Sequence, residues 1–302
     1  MPQPVVLGID FGGSKIAAAV AGENGARLGM STIRTRSGDG AHATFERGLA
    51  AARTLVDQVA DGRPLAAVGA CTIGIPSQDG VALAPTIDGW GEIAFGRRLA
   101  EAFPEARIEL ATDVKAAAYA EAHDGALAGS DPGIYVNLGT GLAVAVVAGG
   151  TVLNGAHGAA GEIGYNVRAL ADVGCDSGAR APLEEVVSGQ ALHRAAAEIL
   201  PDAHGAADVF AAADRPGVAR LIADFIAELS FHLVNLTVAI DPARIAVGGG
   251  MVRSWQRLHG GLRRALDAAV PFPPELVVAD FPYDAPLRGV LSLATVSAHE
   301  IR

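Results

Sequence analysis

The amino-acid sequence predicts an α/β protein built from two lobes that are copies of one domain. The chain has 302 residues, half of them apolar, which is enough for two modest hydrophobic cores. A strand, a glycine turn and a second strand occur twice, and a shift of 127 residues places Asp10, Gly12 and Gly22 on Asn137, Gly139 and Gly149. Duplication is the favoured hypothesis, with coincidence in a chain rich in Ala, Gly and Val as the alternative.

The first copy contains strands and one clear amphipathic helix. Apolar runs at 5–9 and 16–20 predict two strands joined by a glycine turn. Apolar residues spaced by three and four between 45 and 59 predict a packing helix. Residues 65–75 and 108–111 predict two further strands, and the second of these leads into Thr112 and Asp113.

The second copy is predicted from the same patterns. Runs at 134–138 and 142–147 predict two strands around a glycine turn. Apolar residues with helical spacing from 221 to 236 predict a long buried helix that ends at Asp241-Pro242, because proline cannot continue a helix. Residues 244–247 predict a strand, and residues 287–301 predict a C-terminal helix.

Charge and composition argue against several classes of function. A formal net charge of -10 and a pI near 5.2, without a stripe of Lys and Arg, disfavour nucleic acid as a partner. Two cysteines are too few for a disulfide framework, the first residues lack signal-peptide character, and no uninterrupted apolar run reaches membrane-spanning length. We therefore expect a cytoplasmic protein without a membrane partner.

The first glycine turn is a candidate phosphate-binding loop. Gly12, Gly13 and Ser14 lie between two predicted strands, where backbone N–H groups without a neighbouring Cβ suit phosphate oxygens. Asp10, at the end of the first strand, is suited to hold Mg²⁺ through water. Such a turn by itself is more often only a turn.

Two further glycine clusters strengthen the prediction of a nucleotide site. They consist of Gly139, Thr140 and Gly141 in the second copy and of Gly248, Gly249 and Gly250 before a predicted helix. Together with the first turn they predict one nucleotide held between two lobes. The sequence contains no Walker lysine motif and no dinucleotide-binding glycine motif after a strand.

Asp113 is the candidate catalytic base. It stands where a strand gives way to an Ala-rich helix, and phosphoryl transfer needs an oxygen base beside the acceptor hydroxyl. The alternative is that Asp113 only caps the helix, since Asp is a favoured N-cap residue. Lys115 follows too closely to share a helix face with Asp113, and we expect it to be a surface or helix-end charge.

These motifs resemble the ROK family of sugar kinases and repressors over essentially the whole chain. The most specific match is the segment Gly155-Ala156-His157-Gly158-Ala159-Ala160-Gly161-Glu162-Ile163-Gly164; the others are 10–15, 75–76, 85–90, 112–113, 138–141, 183–184, 188–189 and 248–250. The resemblance implies a two-lobed actin-like ATPase or sugar kinase fold with duplicated ribonuclease H-like domains. It also implies a small lobe of 1–112 plus about 287–302, a large lobe of 113–286, ATP as donor and homodimer formation.

The resemblance implies a role for each matching residue. Asp113 would take the proton of the sugar hydroxyl, and Asp10 would hold Mg²⁺ through water. Contacts to the phosphates would come from Gly12, Gly13, Ser14, Lys15, Gly139, Thr140 and Gly141. Contacts to the adenosine part of ATP would come from Gly248, Gly249 and Gly250. The sugar would contact Pro76, Thr86, Asp88, Thr112, Asp113, Glu162, Tyr165 and Glu184.

The departures from the family pattern concern zinc and the sugar. The family's zinc motif has a His and three Cys, where this chain has Tyr165, Cys175, Ser177 and Pro182, so we predict no zinc. The family's His and two Asn also contact the sugar, and here they are Tyr165, Thr86 and Thr112. We therefore expect a modified hexose, for instance an amino sugar such as kanosamine or a cyclitol, with Asp88 available to an ammonium group.

The expected reaction is phosphorylation of a hexose or modified hexose, glucose included, by Mg²⁺-ATP at the 6-OH. Three alternatives remain open. The chain could be a catalytically silent sugar- or nucleotide-binding regulator, or a kinase that uses polyphosphate. A DNA-binding repressor of the family would carry a helix-turn-helix domain before the first strand, and we do not expect DNA binding.

Overall fold

The computed structural model describes residues 3–22, 24–84, 87–176 and 180–299. The chain forms two compact units. Unit 1 consists of two segments, the chain up to Ala120 and the chain from Asp284 onwards, and unit 2 is Glu121–Tyr283. The boundaries predicted from the sequence, after residues 112 and 286, lie a few residues before and after these points.

Unit 1 contains a five-stranded sheet. In chain order the strands of the unit are β1 Val5–Phe11, β2 Lys15–Gly22, β3 Arg27–Arg34, β4 Leu65–Thr72, β5 Ile75–Pro76, β6 Val81–Ala82 and β7 Arg107–Thr112. The sheet order is β3-β2-β1-β4-β7, in which β1 pairs antiparallel with β2 and parallel with β4. The run predicted as one strand at 65–75 ends at Thr72, because Gly74 turns the chain at φ +79°.

Four helices begin in unit 1 or belong to it: α1 Ala41–Val59, α2 Phe95–Ala102, α3 Asp113–Asp124 and α8 Ala285–His299. On one face of the sheet Phe11, Phe45, Trp90 and Phe95 form an aromatic cluster with ring centroids 5.1–6.3 Å apart. On the other face α8 packs against β4 so closely that a Cβ at Gly69 would lie 2.0 Å from the carbonyl oxygen of Val290.

Unit 2 repeats the topology of unit 1. Its strands are β8 Gly133–Leu138, β9 Leu142–Ala148, β10 Thr151–Val152, β11 Arg244–Gly248 and β12 Glu275–Val278, in the order β10-β9-β8-β11-β12. As in unit 1, the central strand pairs antiparallel with the next strand of the chain and parallel with a later one. The two sheets match strand for strand, which supports the predicted duplication.

The core of unit 2 lies against its helices, which are α4 Gly189–Ala196, α5 Ala206–Ala211, α6 Pro216–Ile240 and α7 Trp255–Ala269. Helix α6 confirms the long helix predicted from the apolar spacing, and by length and composition alone it could cross a membrane. Its residues Val218, Phe225, Leu229 and Leu233 are buried in the core of unit 2, which is the position of a core helix in a folded domain.

Candidate active site

The turn between β1 and β2 places exposed groups next to a buried carboxylate. Ser14 and Lys15 are exposed, whereas Asp10 is only 8% exposed. The side chain of Thr35 donates to the carbonyl oxygen of Gly12 at 2.6 Å, and its backbone N–H donates to Ser14 at 3.1 Å. These two bonds hold the turn from the residue that follows β3, a support that the sequence pattern did not indicate.

Asp10 is paired with the thiol of Cys71 on the neighbouring parallel strand. The thiol donates to the Asp10 carboxylate at 3.6 Å. Burial raises the pKa of Asp10 to about 6, against the lowering effects of the Cys71 bond and the charge of Lys15. Burial and the charges of Asp10 and Asp113 raise the pKa of Cys71, so the thiol keeps its proton and remains a donor. Because burial disfavours the ionised form of Asp10, a hydrated cation beside it would offset that effect, and the site fits the predicted Mg²⁺.

Asp113 is half-buried at the first position of α3, and it does not carry the capping role. The hydroxyl of Thr112 accepts the backbone N–H of Lys115 at 3.1 Å, which is the N-cap interaction. One oxygen of the Asp113 carboxylate accepts the neighbouring N–H of Val114 at 2.9 Å. The interpretation of Asp113 as a simple cap is therefore not supported.

Lys115 corrects one expectation from the sequence. The sequence predicts a surface or helix-end charge; Lys115 does lie in the first turn of α3, but it is only 5% exposed and is not at the surface. The reason is that other parts of the protein cover this position of α3, since its neighbours Val114, Ala116 and Ala117 are buried as well.

The segment 85–90, which includes the predicted sugar contacts Thr86 and Asp88, is only partly described, and the predicted contact Pro76 lies before it in β5. Thr86 lies outside the described residues, while Pro76 is half-buried and Asp88 is exposed. Trp90 anchors the loop because its indole N–H donates to the hydroxyl of Thr72 at 2.8 Å. Asp88 is thus an exposed carboxylate next to a fixed, buried tryptophan.

The second glycine turn, at 139–141, is held by its neighbours in unit 2. The N–H of Gly189 donates to the carbonyl of Gly139 at 2.8 Å, which ties the start of α4 to the turn. The carboxylate of Glu184 accepts the N–H of Leu142 at 2.7 Å. A Cβ at Gly141 would lie 2.3 Å from that carboxylate, so a larger residue here would have to displace the Glu184 side chain. Glu184 therefore supports the turn with the same carboxylate that was predicted to bind sugar.

Glu162, Tyr165 and Glu184 form a polar cluster beside this turn. Tyr165 is 38% exposed and closes a short 3₁₀ turn, Ile163–Tyr165, that follows Glu162. Burial, followed by the charges of Glu162 and Glu184, raises the pKa of the Tyr165 phenol. The phenol therefore keeps its proton at neutral pH, and it can donate a hydrogen bond to an acceptor oxygen.

A pocket of about 330 Å³ opens next to the second turn within unit 2. Its size is within the usual range for small-molecule sites. Its lining combines predicted and unpredicted residues: Gly139, Thr140, Gly189, Gln190, His193, His204, Gly205, Ala206, Ala207, Phe210, Gly250, Met251 and Ser254. The motifs did not indicate His193 on α4, Phe210 on α5, His204 in the loop before α5, or Met251, which directly follows the third glycine cluster.

Only one residue of the third glycine cluster lines this pocket. Gly250 does so, whereas Gly248 and Gly249 face atoms of their own unit. A Cβ at Gly248 would lie 2.2 Å from the hydroxyl of Tyr135, and a Cβ at Gly249 would lie 2.6 Å from the carbonyl oxygen of Leu138. These two glycines are thus explained by close packing.

The residues at the family's zinc positions do not fit that metal. Cys175 is exposed and bonds the carbonyl of Ala171, and Pro182 has no ligating atom. Ser177 lies outside the described residues. Within the ranges that the structure describes, no group of three or more His, Cys, Asp or Glu could hold a metal ion.

Comparison with known proteins gives consistent results. A profile described as "ROK family" matches residues 6–296. Kanosamine kinase from Amycolatopsis mediterranei is 29% identical, with all of both chains covered. The ROK hexokinase structure from Thermus thermophilus has 29% identity and a TM-score of 0.81, covering 98% of this chain and 99% of that chain. A ROK glucokinase from Streptomyces griseus, solved with glucose and AMPPNP, has 25% identity and a TM-score of 0.76, covering 96% and 98%. The predicted two-lobed actin-like fold is confirmed.

Proposed function

The chain belongs to the ROK family, and from that premise we propose that this ATP-dependent sugar kinase phosphorylates the 6-OH of a hexose or of a modified hexose such as an amino sugar. The observation that carries the proposal is the position of Asp113. Its carboxylate stands at the carboxyl end of β7, half-exposed, while Thr112 performs the capping. Ligands of α/β sheets bind at such strand ends.

The proposed reaction assigns one step to Asp113. As the sugar oxygen forms its bond to the γ-phosphorus, the carboxylate accepts the hydroxyl proton, and the bond between that phosphorus and the β,γ-bridging oxygen breaks. ADP leaves with the bridging oxygen. Mg²⁺, when bound, would neutralise charge on the phosphates, and Asp10 is the residue proposed to hold it through water.

The remaining predicted residues are proposed as binding groups. In unit 1 the exposed turn at Gly12, Gly13, Ser14 and Lys15 offers N–H groups and a cation to phosphate oxygens. In unit 2 the turn at 139–141 is proposed to bind phosphate, and the adjoining pocket is proposed to bind the adenosine part. Glu162, Tyr165 and Glu184 are proposed to bind sugar hydroxyls, which donate to carboxylates and accept from a phenol.

Two features favour a modified hexose over plain glucose. Tyr165 has a protonated phenol where the family pattern has an imidazole, so it offers one donor at a different distance from the backbone. Asp88 presents an exposed carboxylate that would pair with the ammonium group of an amino sugar. The identity of relatives such as the kanosamine kinase is consistent with this preference.

The test is ADP release from Mg²⁺-ATP with glucose, mannose, N-acetylmannosamine, glucosamine, kanosamine and cyclitols as acceptors. Asp113→Asn is the matched variant, because it keeps the shape of the side chain and removes the base. Turnover on one sugar that falls by a factor of about 10² or more in the variant supports the proposal. Calorimetric binding of sugar and ATP without turnover on any acceptor would instead identify a catalytically silent binding protein.

A further inference from the structure

Residues 165–168, which begin at the last residue of the 3₁₀ turn, contact three side chains of unit 2: Arg180, His232 and Glu228. Arg180 donates from its two terminal nitrogens to the carbonyl oxygens of Tyr165 at 2.5 Å and Asn166 at 2.9 Å. The side-chain amide of Asn166 lies 3.2 Å from a ring nitrogen of His232. Arg168 donates to Glu228 on α6 at 2.7 Å.

The Arg180 contact fixes an orientation as well as a position. A guanidinium group is planar and presents its N–H groups in a rigid fork. When two arms of the fork bind two successive carbonyls, both peptide planes are fixed relative to the guanidinium. The peptide plane that follows Tyr165 contributes to the direction of its Cα–Cβ bond, so Arg180 restrains the backbone from which the Tyr165 ring extends.

The other two contacts attach the same segment to α6. The Asn166 amide donates to one ring nitrogen of His232, which leaves the proton of the neutral ring on the other nitrogen, 3.9 Å from a Glu228 oxygen. The Glu228 carboxylate also accepts a hydrogen bond from the Arg168 guanidinium. The segment is therefore held by Arg180 through two backbone carbonyls and by α6 through the side chains of Asn166 and Arg168.

We propose that Arg180 is a positioning residue that aims Tyr165 at the acceptor sugar, and that this network holds the segment where a metal cannot, because Tyr165, Cys175 and Pro182 do not form a zinc ligand set. The part that concerns the sugar rests on the proposed function. The part that concerns the backbone does not, because the hydrogen bonds hold Tyr165 whatever it binds.

The first measurement follows the segment without using activity. Hydrogen–deuterium exchange of residues 163–170 is compared in wild type, Arg180→Met, Arg180→Lys and the control Arg220→Met, whose exposed side chain pairs with Asp224 on α6. We expect exchange about tenfold faster in Arg180→Met, with Arg180→Lys in between because an ammonium can reach one carbonyl. Equal exchange in Arg180→Met and the control, or faster exchange of wild type after 1,10-phenanthroline treatment, would overturn the proposal.

The second measurement is kinetic. In Arg180→Met we expect KM for the sugar to rise about tenfold while KM for ATP stays unchanged, with partial recovery in Arg180→Lys. Faster exchange without any change in sugar KM would make Arg180 a structural residue only and refute its positioning role. If wild type phosphorylates no sugar, the proposed function fails, and the exchange measurement alone decides whether Arg180 holds the loop.

Discussion

Glu121 offers the sharpest test of how unit 2 is stabilised. It is fully buried, and its carboxylate accepts three backbone N–H groups: Ala126 at 2.8 Å, Asp280 at 3.0 Å and Phe281 at 2.7 Å. The chain enters unit 2 at Glu121 and leaves it at Tyr283. One side chain therefore ties the entry of the unit to its exit.

The loss of free energy of unfolding expected for Glu121→Gln follows from those hydrogen bonds. One oxygen of the carboxylate accepts two of the N–H groups, and the other accepts the N–H of Phe281. Glutamine keeps one acceptor oxygen and places an NH₂ group against a donor. A hydrogen bond to a charged group contributes about 1.5–3 kcal/mol, and a buried donor without a partner costs about 1–3 kcal/mol. We expect Glu121→Gln to lower the free energy of unfolding by about 3 kcal/mol.

The assay is urea and thermal unfolding followed by circular dichroism. A loss of about 3 kcal/mol corresponds to a Tm lower by about 6–12 °C for a domain of this size. The control is Glu198→Gln, which makes the same chemical change at an exposed position. Gly125→Ala is an independent perturbation, because a Cβ there would lie 2.3 Å from the Glu121 carboxylate. Unfolding of Glu121→Gln at the same urea concentration as the control would refute the reasoning.

Three further predictions follow from the structure. Asp113→Asn should keep the Tm of wild type and lower kcat by about 10² or more, and a kcat within tenfold of wild type would exclude Asp113 as the base. Gly161→Ala should lower the free energy of unfolding, measured with urea, by more than about 2 kcal/mol, because Gly161 has φ +91° and a Cβ there would lie 1.9 Å from the carbonyl oxygen of Val144. The control is Gly205→Ala, where the added Cβ would meet open space. Burial lowers the pKa of His232 below 6.5 against the opposing charge of Glu228, so the unfolded chain binds the proton more readily and the free energy of unfolding should fall as pH drops below about 6.5. His232→Phe should remove that part of the pH dependence, and an unchanged slope would contradict the assignment.

The sequence predicted the strands β1, β2, β4, β7, β8, β9 and β11 because local patterns determine them, whereas β3, β5, β6, β10 and β12 were not predicted as separate strands. The predicted strand at 244–247 is observed as Arg244–Gly248, and the predicted helix at 45–59 is observed as Ala41–Val59. Apolar runs bounded by glycines specify short strands, and spacing by three and four specifies a helix. These signals need no knowledge of distant contacts.

Glu121 and Lys115 show what such patterns cannot reveal. The partners of Glu121 at Asp280 and Phe281 are about 160 residues away in sequence, and no local signal marks a carboxylate that will meet them. Lys115 was expected at the surface because lysine rarely is buried. Whether a helix position faces solvent is decided by the elements packed around it, and here Lys115 is covered together with Val114, Ala116 and Ala117.

The Thr112-Asp113 pair shows how a structural and a chemical task are divided between neighbours. From the sequence alone either residue could cap α3, since Thr and Asp both accept backbone N–H groups at helix starts. In the structure the Thr112 hydroxyl makes the N-cap hydrogen bond. The family pattern has Asn at this position, and Asn is an equally good N-cap. Exchange between Asn and Thr therefore preserves the helix start that holds Asp113 while changing the polar group beside it. Position 112 can vary with the substrate at little cost to the fold, and on this argument Thr112→Asn should leave the Tm unchanged and alter the order of preference among acceptor sugars.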